Sequence, residues 1–157
     1  MELGGLPLHP LVVHAAVVFT PVAALLAIVF AVVPRWRWLT RWPAGLAALA
    51  SLGAVWLAKV SGKSFLEERP ELAPLVKVHE QRGDLLGWFV IGFFVVVAAA
   101  VFALGSESPL PSGRGARAAA APWVDKLLPI LVVLASLAVL VLVVMTGDSG
   151  SRAVWGR

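Results

Sequence analysis

The chain contains no cysteine among its 157 residues, and this absence excludes several kinds of site at once. Disulfides, zinc–thiolate centres, iron–sulfur clusters and thiol nucleophiles all require cysteine sulfur. Charge is also scarce: Asp, Glu, Lys and Arg make up 14% of the residues, against about 25% in average globular proteins. The hydrophobic share is 60% and the mean hydropathy is +0.91, so the composition is typical of a membrane protein.

The net charge of +4 does not indicate nucleic-acid binding. The 13 Lys and Arg are scattered singly between apolar runs, whereas nucleic acid requires a basic patch or stripe, so we expect no nucleic-acid partner. The middle of each apolar run contains no Asp, Glu, Lys or Arg, which argues against an ion channel, proton pump or secondary transporter. The sequence also shows no nucleophile–base pair, tightly spaced metal motif or phosphate loop.

Four apolar segments are long enough to cross a bilayer as helices: residues 11–33, 44–60, 85–104 and 127–145. The third and fourth are apolar on every side, so lipid rather than water would surround them. Tryptophans fall near both sets of span ends, as in the aromatic belts of multi-span proteins. The sequence therefore predicts an all-α integral membrane bundle of four transmembrane helices, forming a single domain over residues 1–157.

The connections between the spans predict a topology. Segment 105–122, GSESPLPSGRGARAAAAP, is rich in Gly, Ser, Ala and Pro and predicts a flexible loop. The connection before the third span can be helical from Pro74, which would carry the third helix past the bilayer. Arginines follow the first span and none precedes it. The positive-inside rule then predicts a multi-pass protein of the inner or plasma membrane with both termini outside the cytoplasm.

All three histidines fall on the predicted outer side. At a rise of 1.5 Å per residue, His14 lies roughly 12 Å from the midplane, His9 roughly 20 Å and His79 about 23 Å. Each has an ordinary interpretation: His9 begins a helix, His14 bonds water or its own helix, and His79 lies at an exposed helix end. All three are also candidate ligands for haem iron or another metal, with His9 and His79 the pair best matched in depth.

Small and charged residues accompany the histidines on this side. Gly83 and Gly87 begin a line of small residues that serves close helix packing or leaves room for a flat cofactor or a quinone. Lys59, Glu80 and Asp148 are expected at the same ends of their helices. They are therefore the predicted polar neighbours of the histidines.

The opening LHPLVVH, followed by FTPVAALL, resembles the start of a bacterial family of predicted membrane proteins called domain of unknown function 2231. VSGKSFLEERP, VHEQRGDLLGW and TGDSGSRAVWG resemble its later features: a glycine-containing loop, a His-x-x-x-Gly approach to the third span and a glycine-rich end. The chain differs in having Ala15 and Ala16 where the family commonly has Phe-Pro. The resemblance implies no established activity, although redox modules joined to related domains suggest electron transfer by association. It covers most of the chain and points to His9, His14, His79 and Gly83.

Two functions of different classes are expected from these features. The first is a binding module for haem, a metal ion or a quinone on the outer side, in a redox-associated role, that uses His14 together with His9 or His79. The second is a non-catalytic structural or accessory subunit, whose apolar faces dock against another membrane or redox protein or a second copy of the chain. The lipid bilayer is a partner under both hypotheses, and neither assigns a catalytic residue.

Overall fold

Four long helices make up most of the computed structural model, in which residues 2–3 and 6–156 are described. The helices are α1 (Leu8–Val32), α2 (Arg37–Glu68), α3 (Ala73–Ala103) and α4 (Val124–Trp155). Short 3-10 turns at Pro34–Trp36 and Pro70–Leu72 join the first three helices, and a two-residue strand pair, Glu2–Leu3 with Leu6–Pro7, precedes α1. Each helix is long and apolar enough to cross a membrane, so the predicted all-α four-helix membrane bundle is confirmed.

The helices extend well beyond the apolar spans. α2 runs from Arg37 to Glu68, whereas the apolar segment covers residues 44–60. α1 ends before Pro34, because proline disfavours the α conformation in the residue before it and cannot donate a backbone hydrogen bond. α3 begins at Ala73, which agrees with the helical start predicted near Pro74.

The core follows a heptad pattern. One stripe of buried residues in α1 is spaced alternately by four and three positions, which is the spacing of knobs-into-holes packing in a helical bundle; Ala24 and Ala31 beside it are buried too. The stripe consists of Ala16, Thr20, Ala23, Ala27 and Phe30. α1 packs against α2 and α4, and α3 packs against the same two helices. α1 and α3 are therefore diagonally opposite.

The outward faces of the bundle are apolar along the spans. Examples from the four helices are Val18, Leu25, Leu46, Leu57, Val95, Leu134 and Val141, all of which are exposed. A water-soluble bundle would carry polar side chains at these positions. The tryptophans near the helix ends are exposed as well, as expected of aromatic belts. The bundle is therefore a membrane protein whose outer surface contacts lipid.

The two ends of the bundle differ in chemistry. The starts of α1 and α3 and the ends of α2 and α4 form the histidine end, which carries His9 and His79. The opposite end is the arginine end, where Arg37 is 5% exposed. Its guanidinium donates to the Asp125 carboxylate at 2.8 Å and to the backbone carbonyls of Phe30, Ala31 and Gly105. These bonds tie together the end of α1 and the starts of α2, α4 and the long loop.

The connection 105–122 is anchored at its ends and exposed in its middle. Gly105 and Ser106 are buried, and the backbone of Ser106 pairs with that of Arg117. Residues 109–118 are exposed. The start of the loop is thus packed into the arginine end of the bundle, whereas residues 109–118 in its middle are exposed to solvent.

Candidate functional site

His9 lies at the start of α1, with its ring against the end of α2. Its Nδ1 is 3.1 Å from Ser61 Oγ, and that hydroxyl donates its only hydrogen to the Ala58 carbonyl at 3.0 Å. As long as Ser61 donates to Ala58, Nδ1–H is the group that donates to Ser61, and the ring lone pair is then on Nε2. The ring also stacks on Phe65, with 6.2 Å between centroids and 18° between planes.

The surroundings of His9 favour the neutral ring. Burial lowers its pKa, the charge of a protonated His79 lowers it further, and a bond to the Ala58 carbonyl partly opposes both. The influence of His79 means that the two imidazoles lie within electrostatic range of each other. A neutral imidazole is the form that coordinates metals, so His9 is held in the state that a ligand requires.

His79 has a similar arrangement between α3 and α4. Its Nδ1 is 2.9 Å from the Thr146 carbonyl oxygen. Because a carbonyl oxygen can only accept a hydrogen bond, Nδ1 carries the proton and the lone pair of the neutral ring is again on Nε2. The same carbonyl accepts a hydrogen bond from Ser149 Oγ at 2.8 Å. Both histidines therefore have the same tautomer.

A glycine of the neighbouring helix lies against each ring. A Cβ at Gly62 would be 3.0 Å from His9 Cε1, and a Cβ at Gly150 would be 3.0 Å from both Cε1 and Nδ1 of His79. A larger residue at either position would have to displace the imidazole. Gly83, one turn from His79, faces open space, since a Cβ there would have no neighbour within 4 Å. The glycines therefore allow the rings to approach their supporting helices.

The structure places His14 in a different environment. Its side chain is exposed on α1, whereas His9 and His79 are half-buried between helices. Two of the three candidate histidines are thus brought into one region, and the third faces outwards.

The predicted polar neighbours have other partners. Lys59 pairs with Asp84, with 3.0 Å between Nζ and Oδ1, and lies 4.8 Å from the ring centroid of Trp56. Asp148 accepts a bond of 2.9 Å from Arg152 Nε. Glu80 is exposed. The imidazoles are therefore supported by hydroxyl and carbonyl groups rather than by these charged side chains.

A groove of about 470 Å³ runs along α3 and α4 at the histidine end. Its wall includes Ser149, which shares the Thr146 carbonyl with His79. Two guanidinium groups, those of Arg82 and Arg152, also line it. Asp148 lines the groove as well and pairs with both of them, so the groove places an ion-pair cluster beside the residues that support His79.

The sequence did not identify the supporting residues, which are Ser61, Gly62, Thr146, Ser149 and Gly150. A signal was present, because Ser-Gly occurs at the end of both α2 and α4, within VSGKS and GDSGS. These segments were interpreted only as family features. Within the described part of the chain, no cluster of three or more His, Asp or Glu residues is arranged to hold a metal ion.

The arrangement offers two oriented imidazole lone pairs at one end of a membrane bundle. Among curated proteins and among solved structures, no match to this chain is found. One family, described as "Predicted membrane protein (DUF2231)", matches residues 5–157. This match covers nearly the whole chain and agrees with the resemblance of its opening, so the protein belongs to the DUF2231 family.

Proposed function

We propose that the histidine end binds haem or another metal centre through Nε2 of His9 and His79, in a redox-associated role. The observation that carries this proposal is the shared tautomer of the two rings: each Nδ1–H is donated to a protein oxygen. Ligand histidines commonly donate their second ring N–H to an oxygen of the protein, which fixes the ring and strengthens the ligating nitrogen. Both imidazoles therefore have the support that metal ligation requires.

The same hydrogen bonds favour a metal over a quinone as the ligand. A quinone oxygen accepts hydrogen bonds and needs an N–H donor. The Nδ1–H groups of His9 and His79 already donate to Ser61 and to the Thr146 carbonyl. The remaining nitrogen of each neutral ring offers a lone pair, which binds a Lewis acid such as a metal ion.

The test is the metal content and absorption spectrum of protein purified from native-like membranes in mild detergent. Wild-type protein should carry metal, whereas His9→Gln and His79→Gln should lose it, because an amide does not replace imidazole as a ligand. His14→Gln is the matched control and should retain the metal, since its side chain is exposed. Unchanged helicity in all variants would show that the losses are not due to unfolding. Equal metal content in all four proteins, or none in any, would contradict the proposal.

The proposal places the histidine end outside the cytoplasm of the cell membrane. It is supported by the first connection, which is short and carries Arg35, with Arg37 and Arg41 at the start of α2. The absence of native cysteine allows single-cysteine labelling of intact cells. Ser64→Cys should react with a membrane-impermeant maleimide and Ser112→Cys only after lysis. The reverse pattern would overturn the orientation, and labelling of both sites from one side would overturn the four-span topology.

The second candidate, an accessory subunit, is favoured by the first turns of α3. Leu75 and Val78 are 57% and 53% exposed, although they lie where α3 extends beyond the apolar span. Exposed apolar side chains in water mark contact surfaces. If they dock on a protein partner, Leu75→Ser with Val78→Ser should shift the protein on a native gel of solubilised membranes from a large complex to a single chain. An unchanged position would exclude this contact.

A further inference from the structure

The burial pattern of α1 recurs in α3 at a spacing of 70 residues. Six of the buried residues of α1 are Ala16, Thr20, Ala23, Ala27, Phe30 and Ala31; the seventh, Ala24, has the half-buried Phe94 as its counterpart. The counterparts of the six in α3 are Leu86, Val90, Phe93, Val97, Ala100 and Val101, and every one of them is buried. The side chains at these positions differ, so what repeats is the set of positions that face the core, and the amino acids themselves do not repeat.

The burial pattern of α2 recurs in α4 at a spacing of 88 residues. From Ala44 onwards the buried residues of α2 are Ala44, Ala48, Ser51, Ala54, Val55 and Ser61, and their counterparts in α4, which are Val132, Ser136, Val139, Leu142, Val143 and Ser149, are buried too. The first two buried residues of α2, Arg37 and Thr40, have the half-buried Asp125 and Leu128 as counterparts. Here several residues are also identical: Leu46, Ala47, Leu49, Ala50, Leu52, Val55, Ser61 and Gly62 all recur at that spacing. The hairpin of α1 and α2 and the hairpin of α3 and α4 are therefore two copies of one design.

The helix arrangement relates the two hairpins by rotation. α1 and α3 are diagonally opposite and both run from the histidine end to the arginine end. A pseudo-two-fold axis along the bundle, and so along the membrane normal, interchanges them, as in parallel internal repeats of membrane proteins. Arg37 and Asp125 occupy equivalent positions at the spacing of 88 and bond to each other at 2.8 Å. Contact between equivalent residues is expected where they lie close to the axis.

The two histidines occupy the same position in the two copies. His9 and His79 are separated by the spacing of α1 and α3, and Gly62 and Gly150 by the spacing of α2 and α4. Each ring lies against its glycine and donates through Nδ1 to the last turns of the following helix. Each histidine is also seven residues before a buried core position, Ala16 or Leu86, and so lies on the core-facing stripe of its helix. The two histidines thus have equivalent positions and equivalent supporting contacts in the two copies.

We infer that the chain is a tandem repeat of one helical hairpin, and that His9 and His79 are the equivalent axial ligands of a single haem iron on the repeat axis. This inference rests on the proposed function. It follows from counting ligands: a structural zinc ion needs four, and haem iron needs only two from the protein. The serine hydroxyls beside the rings cannot supply the others, because Ser61 and Ser149 donate to carbonyls of their own helices and hydroxyls are poor ligands unless ionised.

Two further features bear on a haem at this place. Open space beyond Gly83 leaves room beside the core-facing stripe one turn below His79. The groove along α3 and α4 carries Arg82 and Arg152, and both are paired with Asp148 of the same groove, at 3.9 Å and 2.9 Å. A propionate carboxylate of a haem would have to exchange with Asp148 to bind these guanidinium groups. The repeat is therefore symmetric in its two histidines and asymmetric in its groove, which only the second hairpin carries among the described residues.

The experiment is a titration of purified full-length protein with haemin in detergent, followed by absorption spectroscopy of the oxidised and reduced forms. Wild type should bind a single haem per chain with a six-coordinate low-spin spectrum. His9→Gln and His79→Gln should each give the same five-coordinate high-spin spectrum, because the two ligands are equivalent. The double variant should not bind, and Ser61→Ala should weaken binding by about tenfold or more while remaining low-spin. His14→Gln is the control and should match wild type.

The outcomes separate this inference from the proposed function. Binding of Cu²⁺ or Zn²⁺ that needs His9 and His79, without haemin binding, would overturn the haem assignment and leave the metal site intact. Haemin that binds equally well to the double variant would also overturn it. A spectrum lost with only one of the two single variants would overturn the equivalence of the ligands. Failure of every metal and of haemin to bind would overturn both proposals.

Discussion

Arg37 provides the sharpest stability prediction, because one side chain closes the arginine end. In the variant Arg37→Met the apolar stem is kept and the guanidinium is removed. The backbone carbonyls of Phe30, Ala31 and Gly105 then lose a charged donor, and Asp125 loses its ion pair. Hydrogen bonds to charged groups contribute about 1.5–3 kcal/mol each, and water at the bundle end can replace part of this.

We expect the free energy of unfolding to fall by about 3 kcal/mol, close to the lower limit for breaking a buried pair, because the Asp125 side chain is 38% exposed. For a chain of this size that loss corresponds to a fall of roughly 6–12 °C in the unfolding temperature. Tryptophan fluorescence during heating in detergent is a suitable assay. Arg37→Lys should fall between the variant and wild type, since a lysine keeps the charge and loses the planar fork.

The matched control is Arg35→Met, two residues earlier. The Arg35 side chain is exposed and lies 5.6 Å from the ring centroid of Trp36, a contact worth about 0.5–1 kcal/mol. The reasoning would be refuted if both substitutions lowered the unfolding temperature equally. Asp125→Asn separates the ion pair from the carbonyl bonds, and it should cost less than Arg37→Met.

Three further predictions concern the histidine end and the loop. The folded state lowers the pKa of His9, so the unfolded chain takes up a proton first as the pH falls. The contribution of His9 to the free energy of unfolding should therefore be complete above about pH 6.5 and decline below it. His9→Gln should reduce the loss of stability measured between about pH 7.5 and pH 5.5. Gly147→Ala meets open space and should raise the unfolding temperature through helix propensity, whereas Gly150→Ala crowds His79 and should raise it less or lower it. Deletion of residues 109–112 should leave the unfolding temperature and membrane yield unchanged, because these residues are exposed; a fall of several degrees would show that the loop packs on the bundle.

The four helices could be predicted from the sequence because each membrane span is a run of about 20 predominantly apolar residues. Their ends could not, because an apolar segment stops at a charge while a helix does not. α2 begins at Arg37, before the predicted span, and the guanidinium of Arg37 donates to a carbonyl at the end of α1. Near the other end of the span, Lys59 pairs with Asp84 and lies over the Trp56 ring. Arg37 meets the Ala31 carbonyl, and Lys59 meets Asp84 of α3, only once the helices have packed together.

Part of the candidate site could be predicted in the same way. Helix rise alone matched His9 with His79 in depth, and the structure places both between helices. Helix rise does not give the direction in which a side chain points around the helix axis. It therefore could not predict that His14 faces outwards. The supporting residues Ser61 and Gly62 could have been predicted, because the same Ser-Gly pair recurs as Ser149 and Gly150 at the end of α4.

The most direct test of the central claim is a count of the imidazoles bound to the metal. X-ray absorption at the metal edge provides this count, because coordinated imidazole rings give a characteristic outer-shell scattering. With metal-loaded or haem-loaded protein, we expect wild type and His14→Gln to show two imidazoles, and His9→Gln and His79→Gln to show one each. Two imidazoles retained in either of the latter variants, or fewer than two in wild type, would contradict the assignment of His9 and His79 as the paired ligands.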